Sequence, residues 1–431
     1  MENDILKPPT FPPQVVDGCG IMTFLSPEAR LNMKKIFALI LSLCLLAVCL
    51  TGCGETAGVT AAPVPEEQRT AIDVWYVDDG STLWDNFRSL ISSYNMGDGA
   101  VSGVTVSAEP YSSDSKLLEA LKDAGSGVPD IAMCSAEAAL AMEASGVKVH
   151  TDTYFSADGL SSIQSGYLSA GVLSGRLLCV PAAVTPYVLM VNDALASKVS
   201  GYSAAMLSTA EGVCSAAQKY NDAAGDHFFT ADSFAELFRT GLAQYGDKFN
   251  AQRDLDIKND HYVYLYNLIA EAAYNGGVTA SDTDAAKLVA KGSMACAAVT
   301  SAEVVGSRAA SGVSVLPFPV VQGGTKLYPA KMCEMVITGS DESGQKASAV
   351  FMNWLMGKGS ELTALSGWYQ PSAALSSLTA DGKSGIAAVT DAAVGAMAGQ
   401  YAVTLETPAA SNLDNNLQFE SSFRETLAGL D

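Results

Sequence analysis

Histidine is scarce in this chain: His150, His227 and His261 are the only three among 431 residues, and no two are neighbours in sequence. That argues against a histidine-based triad and against a histidine-ligated zinc site, both of which bring imidazoles together with other ligands or bases. The sequence also lacks a G-x-S-x-G elbow, a G-x-x-x-x-G-K-[ST] phosphate loop and an H-E-x-x-H helix. Gly97-x-Gly99-x-x-x-Gly103 has the wrong spacing for a dinucleotide loop, and Asp254-x-Asp256-x-Lys258 opens like a calcium loop but puts a lysine in a ligand position. There is no C-x-x-C pair for a zinc ribbon or a thioredoxin-like motif. No catalytic residue, cofactor or metal is therefore assigned. Basic residues are few as well: 25 Lys and Arg stand against 46 Asp and Glu, a net charge of −21. Phosphate backbones are held by clustered Lys and Arg, so a nucleic-acid partner is not expected. The acidic residues are scattered, as on a solvated surface.

One apolar run near the front stands apart from the body of the chain. Lys34 and Lys35 follow Met33, residues 36–50 are apolar but for Ser42, and Leu50-Thr51-Gly52-Cys53 closes the run. A bilayer-spanning helix needs about 20 apolar residues, so this run is short for a membrane span and matches a secretory signal instead. The tetrapeptide resembles the lipobox of bacterial lipoproteins, which implies cleavage before Cys53, a lipid on its sulfur, and a location on the outer face of the cytoplasmic membrane. Met33 is read as the start, residues 1–32 as an upstream extension, 33–52 as the signal and 53–70 as a tether without apolar period. Past Cys53 remain Cys134, Cys179, Cys214, Cys296 and Cys333, an odd number in mostly apolar surroundings, expected to be buried and unbridged.

The body reads as alternating strands and helices. Ala71-Ile72-Asp73-Val74-Trp75-Tyr76 has the β-branched and aromatic content of a strand, and Asp78-Asp79-Gly80 follows as a turn. Trp84, Phe87, Leu90, Ile91 and Tyr94 recur at helical spacing. A strand at 104–106, a helix at 116–124 and a strand at 129–133 complete a β-α-β-α-β run, the signature of a mostly parallel sheet covered by helices. Similar elements return at 234–242 (with Ser233 and Glu236 placed for a capping box), 293–299, 313–317 and 347–355. The length and this doubled pattern suggest two lobes.

Six stretches in this order resemble the bacterial extracellular solute-binding proteins of the maltodextrin-binding type. They are Val74-Trp75-Tyr76-Val77-Asp78-Asp79-Gly80; 118–131 with Ser-Gly-Val-Pro-Asp-Ile; and Gly175-Arg176-Leu177-Leu178-Cys179-Val180-Pro181 running on to 187–193. The rest are Lys291-Gly292-Ser293-Met294-Ala295; 312–319 with Gly323-Gly324; and 347–355 followed by Gly367-Trp368-Tyr369-Gln370-Pro371. The resemblance implies an α/β, two-lobed periplasmic-binding-protein-like fold of type II, with lobe 1 at 71–182 plus 313–366 and lobe 2 at 183–312 plus 367–431. The chain would cross near 181–186, 312 and 365–371. It also implies a monomer that binds a solute in the interlobe cleft, catalyses nothing, and passes the solute to the permeases of an ABC importer. A surface lipoprotein using the scaffold as a sensor or adhesion partner is the alternative.

Aromatic faces stack on sugar rings and planar polar groups bond hydroxyls, so the cleft of a sugar receptor should gather both. Trp75 and Tyr76 end the first strand, where alternation lets only one face the cleft. By resemblance, Asp79 is placed in the following turn, Ser135 and Glu137 after the Pro-Asp-Ile strand, and Thr185 and Tyr187 beyond the first crossing. Thr300 and Ser301 stand where the family has another contact, and Trp368 and Tyr369 at the last crossing are the strongest aromatic candidates. His227, Phe228 and Phe229 are further candidates for the wall of lobe 2. Where the family often carries an aromatic, this chain has Cys134 and Ser301, so a ligand other than a long maltodextrin is expected.

Overall fold

The computed structural model describes residues 62–247, 259–280, 284–309, 311–339, 341–372, 375, 378, 385–397 and 410–429. The signal, the lipobox with Cys53, and the Asp254–Lys258 pattern lie outside the described residues. Among the described residues, no helix is long and apolar enough to cross a membrane.

Eight strands carry the architecture: β1 Thr70–Val77, β2 Val104–Tyr111, β3 Ile131–Cys134, β4 Val180–Asn192, β5 Phe229–Ala231, β6 Cys296–Thr300, β7 Val313–Pro317 and β8 Ala330–Ile337. Their order is β2-β1-β3-β8-β4-β6-β5, with β7 also on β4. Strand β4 runs through both halves. Its residues from Val180 to Pro186 pair antiparallel with β8, and those from Tyr187 onward pair with β6 and β7. β1, β2 and β3 are mutually parallel on one side, and β5 and β6 on the other. At 13 residues β4 is long enough to serve both halves, and it is buried from Val180 through Val191.

Packing follows the same division. Ile72, Val74 and Tyr76 alternate onto one face of the first sheet, against α1 (Thr82–Met96) and α6 (Glu342–Gly357). Trp75 and Val77 turn to the other face, toward α2 (Asp114–Asp123) and α3 (Ala136–Ala144). A separate core holds Val188 to Val191, Phe228, Phe229, Val299 and Val315, together with α4 (Phe234–Tyr245) and the end of α7 (Ala410–Ala428). The chain changes core between Ala183 and Val184, between Met332 and Cys333, and between Trp368 and Tyr369. The fold is thus α/β and two-lobed.

Three sequence expectations change. The sequence places β7 in lobe 1, with a crossing near 312; in the structure it pairs with the distal half of β4, and the return path is β8. An isolated apolar strand carries no sign of which sheet will accept it. The tether expected over 53–70 ends early, for Val64 N donates to Ala100 O (2.8 Å) and Arg69 Nε donates to Val64 O (2.9 Å), fastening 64–70 beside β1. The start of α4 also differs: Ser233 Oγ accepts from Glu236 N (3.0 Å), but the Glu236 carboxylate meets Arg239 Nη1 (3.2 Å) and Thr240 Oγ1 (3.3 Å). A reciprocal capping box forms at Thr300 and Glu303, opening α5 (Ser301–Gly306).

Candidate functional site

The carboxyl ends of β1, β3 and β5 face a cavity of about 450 Å³ backed by β8. Ligands of open α/β sheets bind beyond those ends, where strands stop and helix N-termini begin. Lobe 1 contributes Val77, Asp79, Trp84, Asp114, Cys134, Ser135 and Glu137. Lobe 2 contributes Tyr187, Asp232, Ser233, Ala235, Glu236, Arg239 and Glu420. The floor is 330–333 of β8, and Trp368 closes one side.

Each polar wall residue is held locally. Asp79 Oδ1 accepts from Trp84 Nε1 (3.0 Å) and Ser81 N (2.9 Å), which ties the turn after β1 to the first turn of α1. Ser135 caps α3, its Oγ accepting from Ala138 N (3.2 Å), while its own N–H donates to Asp114 Oδ1 (3.1 Å). Across the cleft, Glu420 accepts from Phe234 N (3.2 Å) and Ala235 N (2.7 Å), a carboxylate supplied in trans to the N-terminus of α4. Arg239 lies between Glu236 (3.2 Å) and Glu137 (3.6 Å), joining the lobes by charge.

Burial raises the carboxyls of Asp114 and Glu137 above their usual range; backbone and side-chain bonds from Ser135 at Asp114, and Arg239 at Glu137, offset part of this. Lys331 Nζ pairs with Asp232 (2.9 Å) and sits 5.5 Å from the Tyr187 ring centroid. Desolvation works against its charge, but Tyr187, Asp232 and Glu303 hold its ammonium well above the ordinary lysine range. Burial pushes the Cys134 and Cys333 thiols upward, so neither is a thiolate nucleophile near neutral pH. All five body cysteines are free and buried.

Of the residues singled out from the sequence, Asp79, Ser135, Glu137, Tyr187 and Trp368 meet at this cavity. Trp75 and Tyr76 do not line it. Tyr76 is buried core, its hydroxyl accepting from Arg88 Nη1 (3.0 Å), and Trp75 packs on Tyr111 with ring centroids 5.1 Å apart. The strand ends one residue later than expected for a cleft contact, so Val77 and the turn present themselves instead. Thr185 and Ser301 are consumed by the crossing itself: their hydroxyls are 2.9 Å apart, both donate to Gly367 O (3.2 and 2.6 Å), and Ala302 N donates to Thr185 Oγ1 (3.0 Å). Thr300 is occupied as a cap, its Oγ1 donating to Glu303 Oε2 (2.9 Å). Tyr369 turns away, donating to Asp391 Oδ1 (2.8 Å), and borders a separate cavity of about 570 Å³ behind Trp368. Phe228 and Phe229 are core, and His227 Nδ1 lies 2.9 Å from Gly276 O, away from the cavity.

Sequence reading missed Trp84, Asp114, Asp232, Arg239, Lys331 and Glu420. Trp84 belongs to an apolar helical stripe and reads as core; it is both core and wall. Asp114 and Asp232 follow strands, a signal that was available; Lys331 and Glu420 come from segments whose place in the fold only tertiary structure fixes.

The most telling feature is the Trp368 indole. The residue is 7 % exposed and lines the cavity, and its buried N–H has no hydrogen-bond partner among the described residues. Leaving such a donor unpaired costs about 1–3 kcal/mol.

Comparison with known proteins agrees with this geometry. Residues 90–397 match the family described as bacterial extracellular solute-binding protein. No curated protein sequence matches. Among solved structures, the cyclic α-maltosyl-1,6-maltose binding protein of Arthrobacter globiformis superposes with a TM-score of 0.67 at 18 % identity, covering 84 % of this chain and 95 % of that one. An ABC substrate-binding protein of Listeria monocytogenes in complex with cycloalternan gives 0.66 at 14 %, covering 84 % and 95 %. A Mycobacterium tuberculosis protein in complex with glycerophosphocholine gives 0.63 at 15 %, covering 84 % and 96 %. At these identities the likeness is one of fold.

Proposed function

The chain belongs to the bacterial extracellular solute-binding proteins, and from that premise we propose that it captures a carbohydrate between its lobes for delivery to the permeases of an ABC importer. The observation that carries the carbohydrate reading is the wall itself. Trp84, Tyr187 and Trp368 supply ring faces and the carboxylates supply acceptors for hydroxyls in a cavity of about 450 Å³. A sugar presents an apolar ring face rimmed by groups that both donate and accept, which is the complement of such a wall. Two of the structural relatives were solved with or named for saccharides, which supports the same reading. Binding rather than catalysis is the proposed role, and the lobes are proposed to close about the three crossings. Attachment through Cys53 to the outer face of the membrane, as a monomer, completes the proposal.

A thermal-shift screen against mono- and oligosaccharides, followed by calorimetry on any hit, tests it. A carbohydrate at one hundred times its Kd is expected to stabilise the fold by about 2.7 kcal/mol. Stabilisation by amino acids or peptides, with none by saccharides, would turn the assignment toward another solute.

A further inference from the structure

Six carboxylates line the cleft, from Asp79, Asp114, Glu137, Asp232, Glu236 and Glu420, against two cations, Arg239 and Lys331. Both cations are already engaged. Arg239 is flanked by Glu137 and Glu236, and Lys331 pairs with Asp232. Glu420 pairs with Arg424 (2.7 Å) outside the lining. Asp79 and Asp114 are left: each accepts neutral N–H donors, and neither has an ion-pair partner among the described residues. Both stand on the lobe 1 wall, where Trp84 donates to Asp79. A closing cleft strips water from these two carboxylates; Lys331 acts on Asp114 only from beyond ion-pair distance, and an anionic or wholly neutral solute leaves the remaining charge uncompensated. An organic cation compensates it and gains from the Trp84 and Trp368 ring faces. The carboxylates do not converge as metal ligands: among the described residues, no group of three or more His, Cys, Asp or Glu could hold an ion.

Resting on the carbohydrate reading above, we infer that the solute is an amine-bearing saccharide, its ammonium recognised by Asp79 and Asp114 and its ring packed on Trp84 and Trp368. Neutral sugars bind more weakly and uronates more weakly still.

Calorimetry on the full chain with matched pairs tests this: glucose with glucosamine, galactose with galactosamine, cellobiose with its diamino analogue, and glucuronate alongside. Within any pair that binds, the amine member is expected to be at least tenfold tighter. Asp79→Asn combined with Asp114→Asn should bring the ratio within the pair to near one. Each asparagine keeps an oxygen for the N–H donors that now bond the aspartate, and an unchanged melting temperature verifies the fold. A neutral member binding as tightly as its amine partner overturns the charge inference and leaves the carbohydrate reading intact. Binding of spermidine with no sugar of either kind overturns the carbohydrate reading and keeps the charge inference. Binding by none of these probes overturns both.

Discussion

Glu334 lies on β8 at the register shift between Cys333 and Glu334, where the strand passes between lobes. It is fully buried, and among the described residues its side-chain oxygens have no close hydrogen-bond partner, with only a weak interaction from the Cys179 thiol. Burial raises its pKa from 4.5 to about 8, an effect the adjacent Cys179 thiol offsets only in part. The sign of the consequence follows from linkage. Below pH 4.5 the carboxyl is protonated in both folded and unfolded chains and contributes nothing. Between 4.5 and about 8 the unfolded chain releases this proton while the folded chain keeps it, so stability falls as pH rises. Above 8 both states are ionised and the loss is complete. At about 1.4 kcal/mol per tenfold change in proton affinity, the loss amounts to about 5 kcal/mol, a large part of the roughly 5–15 kcal/mol that typically holds a domain together. Glu334→Gln keeps the shape and removes the titration. Urea unfolding of both proteins at pH 5, 7 and 8.5 is therefore expected to show the variant gaining on the parent by several kcal/mol across the series. Parallel stability profiles would refute the reasoning, because they would mean that Glu334 finds a proton donor or water in the folded chain.

Trp368→Phe removes a buried N–H that has no hydrogen-bond partner among the described residues and trims the ring that lines the cavity; the free protein should melt no lower than the parent, while solute affinity drops about five- to tenfold, as for about 1 kcal/mol of lost ring contact. A lower melting temperature with full affinity in calorimetry would make Trp368 a packing residue only. Gly367 has φ +73°, and a Cβ there would run into the Ser301 carbonyl and Ala302 Cα, so Gly367→Ala is expected to cost about 2 kcal/mol or more in chemical denaturation; a loss under 0.5 kcal/mol would show that the crossing at Thr185, Ser301 and Gly367 yields readily. Cys53→Ala is expected to shift the chain from the membrane fraction to the medium or leave it unprocessed, and unchanged partitioning into lipid would remove the lipobox reading.

Sequence alone determined the kind of fold and much of its local structure. Alternation of apolar residues placed Ile72, Val74 and Tyr76 on one face, helical spacing marked Trp84 through Tyr94, and strand-then-turn order put Asp79 and Ser135 at strand ends that do line the cavity. These signals are local, and side-chain periodicity carries them without reference to the rest of the chain. What the tertiary structure decided is non-local. Thr185 and Ser301 look like cleft residues until Gly367, far along the chain, takes both hydroxyls. Strand β7 looks like a return to lobe 1 until it pairs with the far half of β4. Lys331, Arg239 and Glu420 become wall residues only because β8, α4 and α7 meet over one gap. A sequence records which groups exist and with what period; which of them face each other across a cleft depends on pairings between strands and helices hundreds of residues apart.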